Sequence, residues 1–165
     1  MADAGCVKVS HEGPVAVLSI EFAPHNLLGL DLMAGMRAGL NAAQEAGARA
    51  VLLKSGLRHF SAGADTSLFV DALGPDGRLS VSPLAFLQEL EAFPLPIVAA
   101  VQGACIGGGL EMALACDLIV AAEGVKFTAA YVKAGLVPDA GLTASLARLV
   151  PRALAMEMMG LQEVA

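Results

Sequence analysis

The chain has 165 residues and a formal net charge of -6, with 56% hydrophobic and 16% charged residues. That length fits one domain with a substantial core, and the balance excludes a disordered chain. An acidic sequence with one Tyr and no Trp has neither a basic stripe to neutralise phosphates nor rings to stack on bases, so nucleic acid is excluded as a partner.

In chain order, Val15–Ile20 predicts a strand, paired with residues 7–10 across a turn at 11–14. Residues 32–46 have helical spacing, with Leu32, Met36, Leu40 and Ala43 on one face and Gly47 as C-cap. Residues 50–53 (AVLL) form a short apolar run, as in a strand covered on both faces. Residues 55–66 and 74–82 read as loops. Pro83 starts a helix to residue 93. Ile97–Val101 and Leu118–Ala121 predict two further strands, separated by a helix over 107–116. Residues 141–150 and 151–160 predict two short helices. Strand–helix alternation without repeat or linker predicts an α/β fold in one domain, residues 1–165.

A mean hydropathy of +0.68 raises the question of a membrane span, which needs about 20 mostly apolar residues. The most apolar stretch, residues 93–122, is broken by Pro94, Pro96, Gln102, three glycines, Glu111 and Asp117. It reads as buried core, and no membrane is expected as a partner. The opening lacks the basic and apolar regions of a secretory signal. Cys6, Cys105 and Cys116, odd in number and widely spaced, fit reduced thiols of a cytoplasmic protein better than a disulfide framework.

Several chemical motifs are excluded. Gly103 and Gly108 have P-loop spacing, but no Lys-Ser/Thr follows. Gly107 and Gly109 lack the third glycine of a dinucleotide site. There is no G-x-S-x-G elbow. His11, His25 and His59 are not at metal spacing, so no metal is expected. What remains is backbone chemistry. The glycines at 107–109 follow a buried strand and open a helix, where free N–H groups favour developing negative charge. Residues 61–65 (SAGAD) form a second small-residue loop after a buried strand. Two such loops could aim two N–H donors at one oxygen, an arrangement worth about 2.7–4 kcal/mol per donor. Close helix–strand packing plus a turn is the alternative. Glu111 could complete a helix N-terminus, and Asp139 could be a turn residue or N-cap. Arg58 and Lys54 could meet an anion or be solvated charges.

Three blocks resemble the crotonase, or enoyl-CoA hydratase/isomerase, family: residues 59–65 (HFSAGAD), 96–111 (PIVAAVQGACIGGGLE) and 115–121 (ACDLIVA). Asn26-Leu27-Leu28 is similar to a less specific early segment. The resemblance implies a crotonase-type (ClpP/crotonase) spiral of β-β-α units, here lacking the family's C-terminal helices, since the chain stops at LQEVA. It implies an acyl-CoA thioester as substrate and partner, with CoA as part of the substrate and no separate cofactor. It also implies a homotrimer or hexamer. Carried over by position, Ala64 and Gly108 would donate the two N–H groups that hold a thioester enolate. Ala62, Asp65 and Thr66 would touch CoA, Arg58 a phosphate, and Leu27, Leu28, Gly107 and Tyr131 would complete substrate binding. One hydratase glutamate matches Glu111; the other falls at Tyr131, and an unperturbed phenol, with a pKa of about 10, is a weak substitute. Residues 135–141 (GLVPDAG) resemble the isomerase branch, in which Asp139 would shuttle the proton. The expected function is therefore double-bond isomerisation of an enoyl-CoA, with Asp139 as base and Glu111 as second acid/base. Hydration through Glu111 and a non-catalytic crotonase-like binding or assembly protein are the alternatives.

Overall fold

The computed structural model describes residues 4–68, 82–132, 135–138 and 141–160. Asp139 and most of the loop expected at 74–82 lie outside them. A 3-10 turn, Ala4–Cys6, leads into β1 (Val7–Glu12) and β2 (Val15–Ile20). These two strands form an antiparallel hairpin in register from Val7↔Ile20 to Glu12↔Val15. The hairpin is longer than predicted because the turn shrinks to Gly13 and Pro14, with Gly13 at φ +58. Helix α1 (Leu30–Glu45) buries Leu32, Met33, Met36, Leu40 and Ala43 on one stripe. It ends at Gly47, whose φ of +74 suits a residue without Cβ.

The chain continues through β3 (Ala50–Ser55), α2 (Pro83–Glu91), β4 (Ile97–Val101), β5 (Ala104–Ile106) and α3 (Gly108–Leu114). It ends with β6 (Leu118–Ala121), β7 (Lys126–Thr128), α4 (Leu142–Leu149) and α5 (Arg152–Gly160). Ser82 caps α2 by accepting the Ala85 N–H, with Pro83 in the first turn. The main sheet has the order β1-β2-β3-β4-β6, and β5 pairs with β7 in a second, two-stranded sheet. From β2 to β6 every pairing is parallel. Parallel strands need crossovers, and α1 and α3 lie in two of these connections. Leu18, Ile20, Leu53, Phe60, Ile97 and Met112 are fully buried in one core. Burying each such side chain contributes about 1.5–3 kcal/mol. Two strands, β5 and β7, were not anticipated, and α3 stops two residues short of the predicted end. Among the described residues, no helix is long and apolar enough to cross a membrane.

Candidate active site

The loop after β3 is held from both sides by main chain. The Ser61 N–H donates to Ala104 O at 3.2 Å and the Ile106 N–H to Ser61 O at 3.1 Å. On the other flank, the Leu28 N–H donates to Gly63 O at 2.8 Å and the Asp65 N–H to Leu28 O at 2.9 Å. These form two isolated parallel bridges, Ser61↔Cys105 and Leu28↔Ala64. In a parallel bridge the paired residue turns its own N–H away from its partner, so Ala64 directs its N–H away from Leu28.

On that side lies the start of α3. A methyl group on Gly108 would sit 3.5 Å from Ala64 N and 3.2 Å from Leu28 Cδ2. The two backbones are therefore side by side, with room for little else. Gly109 is tighter still, because a Cβ there would meet Ser61 Cβ at 2.5 Å. A Cβ at 108 would crowd only Leu28 Cδ2, whereas at 109 close approach, rather than an unusual φ, is what calls for glycine. At Gly107 the backbone itself requires it, with φ +48.

Asn26 fixes the loop from beneath. It is fully buried, with φ +51. Its amide nitrogen donates to Ser55 Oγ (2.8 Å) and Phe60 O (3.1 Å), and its Oδ1 accepts the Phe22 N–H at 2.7 Å. The Ser61 hydroxyl donates back to Asn26 O at 2.7 Å. Gln102 adds a second tie by donating to Ser55 O and Leu57 O. In the sequence Asn26 stands out only as the first residue of the less specific segment Asn26-Leu27-Leu28. The available signal is a residue type tolerant of positive φ just before an apolar pair, Leu27-Leu28.

A cavity of about 260 Å³ opens between this loop, α3 and the segment after β7. Of the residues predicted from sequence, Leu28, Ala62, Ala64, Thr66, Gly107, Gly108, Glu111 and Tyr131 line it. Leu27, Arg58 and Asp65 do not line it. Arg58 is exposed on the loop, and Asp65 Oδ1 accepts the Ser67 N–H at 2.9 Å, a turn contact. Asp139 lies outside the described residues. Leu68, Pro83, Leu136 and Val137 add apolar walls that the sequence did not single out.

Glu111 sits on the first turn of α3, buried, and the Tyr131 hydroxyl donates to its Oε1. Tyr131 reaches it through a short series of local constraints. The Gly107 N–H donates to Thr128 O at 2.8 Å, which registers the end of β7 to the start of α3. Ala130 then adopts φ +55, a left-handed conformation that costs an alanine about 1–2 kcal/mol. The Leu136 N–H closes the turn on Tyr131 O at 3.0 Å. Among the described residues, Glu111 is the one carboxylate lining the cavity.

The thiols play no part in that cavity. Burial pushes Cys105 up to about 12, with Cys116 adding to the effect. Burial, with Asp117 nearby, does the same to Cys116, also to about 12. Both S–H groups donate to carbonyls of α3, Cys105 to Gly109 O and Cys116 to Met112 O. A second, larger cavity of about 720 Å³ lies between α3, β6, β7, α4 and α5, with walls that include Leu114, Ile119, Phe127, Leu146 and Met158.

Residues 11–163 match the model of the family described as Enoyl-CoA hydratase/isomerase. A protein of Bacillus subtilis named probable enoyl-CoA hydratase is 36% identical over 149 residues, covering 88% of this chain and 58% of its own length. A carnitinyl-CoA dehydratase of Salmonella paratyphi B is 38% identical over 110 residues, covering 67% of this chain and 42% of its own. The crystal structure of an enoyl-CoA hydratase from Polaromonas superposes with a TM-score of 0.78 at 32% identity. It covers 95% of this chain and 63% of that one. The chain thus spans less than two thirds of the length of these relatives.

Proposed function

The chain belongs to the enoyl-CoA hydratase/isomerase family, and we propose from that premise that it transfers a proton within an enoyl-CoA thioester, shifting its double bond. The observation that carries this reading is the placing of Ala64 and Gly108 side by side above a cavity that holds Glu111. Two main-chain N–H groups there would polarise the thioester carbonyl and hold the enolate that forms when the α-proton leaves. Such preorganised donors act without reorganising at the moment of reaction. One carboxylate can remove a proton at one carbon and return it at another, which suffices for a double-bond shift. On the sequence, Asp139 is the proposed base and Glu111 the second acid/base. CoA would arrive as part of the substrate in the cytoplasm, with no separate cofactor.

A second reading, hydration or its reverse, is favoured by the names of the relatives, a hydratase and a dehydratase. Product analysis with a 3-enoyl-CoA and a 2-enoyl-CoA separates the two. We expect positional isomer from the first and little water adduct from the second. Water adduct as the main product would favour hydration, and no turnover of either would favour a binding protein. Asp139→Asn should remove most isomerase turnover and Glu111→Gln less, within the roughly 10²–10⁴-fold range of general acid–base catalysis. The reverse order would reduce Asp139 to a turn residue.

A further inference from the structure

We propose that Tyr131 is a positioning residue for Glu111, holding its carboxylate in the rotation from which it exchanges protons with the substrate; this rests on the enolate chemistry proposed above. The terminal torsion of a glutamate is broad, so nothing intrinsic to Glu111 fixes the plane of its carboxylate. The phenol restrains it, by donating to Oε1 from within the same buried wall. A carboxylate offers about four acceptor positions, so a phenol on Oε1 does not by itself fill them.

The surrounding backbone is shaped around this contact. Ala130 takes a left-handed conformation immediately before Tyr131. Gly107, which its φ of +48 makes a glycine, lies directly beneath the hydroxyl: a Cβ there would make ordinary contact, 4.0 Å from Tyr131 Oη and 3.6 Å from Ala129 O. The phenol therefore lies within one residue's reach of the Gly108 backbone and in direct contact with Glu111. A ring kept only for packing would need neither the hydroxyl nor its alignment with Glu111.

The test is a double-mutant cycle of wild type, Tyr131→Phe, Glu111→Gln and the double variant. Each is assayed on the enoyl-CoA that the wild type turns over, and by exchange of its α-proton in deuterated water. Exchange read over hours by mass spectrometry keeps slow variants measurable. Phe retains the ring, so thioester affinity should barely move, while loss of the bond to the buried Glu111 carboxylate should lower the melting temperature without unfolding the protein. Tyr131→Phe should lower kcat about 10- to 100-fold with little change in KM, the size of loss expected from a misplaced catalytic group. In the Glu111→Gln background the same change should cost nothing further. Losses that simply multiply, or an unchanged kcat in Tyr131→Phe, would overturn the role of Tyr131. A wild type with no turnover and no α-proton exchange would overturn the enolate reading and this role with it.

Discussion

Asn26 shows how much of the site rests on a side chain that never reaches the cavity. Its amide meets the 56–60 turn, its carbonyl holds Ser61, and its own backbone is left-handed. Asn26→Ala takes the side-chain donor from Phe60 O and the side-chain acceptor from the Phe22 N–H. Each unsatisfied group costs about 1–3 kcal/mol. We predict a clear fall in melting temperature together with a loss of turnover larger than the loss of CoA-thioester affinity, read by calorimetry and steady-state kinetics. Tyr131 is the converse case. The sequence shows a phenol where a second acid would stand, but the bond to Glu111 depends on the turn at Ala130, and alanine carries no signal for positive φ.

Among the elements, legibility followed length and continuity. Strands β4 and β6 stand out as apolar runs and appear where predicted. Strands β5 and β7, of three residues each, are too short to show a period, and β5 is embedded among glycines. They matter because their pairing brings the loop before α3 beside Thr128 and Tyr131. Strand β5 also contains Cys105, and Cys116 follows α3. Both thiols are raised to about 12 from a usual value of 9.0. Below pH 8 folded and unfolded chains both hold these protons, so that share of stability is fully present. As pH rises beyond about 9, the unfolded chain releases them while the folded chain does not, and stability falls towards pH 12. The loss from pH 8 to pH 10 should be about 1.4 kcal/mol per thiol. Urea midpoints at the two values check this. The drop should shrink in Cys105→Ala/Cys116→Ala, since comparing each protein with itself removes the cost of the cavities.

For the whole molecule, the apolar residues left at the surface argue for association. Leu118 on β6 and Leu149 on α4, 63% and 61% exposed, both line the larger apolar cavity, and Val120 on β6 is 61% exposed. Contiguous exposed apolar surface marks an interaction face. We predict sedimentation as a trimer or larger assembly at micromolar concentration; a monomer would count against it. The loop at 61–65 has a consequence for how this molecule tolerates change. A donor carried by the main chain belongs to no side chain, and proline alone deletes it. Among the smaller residues, substitution at position 64 should leave activity nearly flat, with a sharp drop at proline. At position 109, where any Cβ meets Ser61, every substitution should score as a loss. The residue closest to the proposed chemistry would then be freer to drift than the glycine that merely supports it.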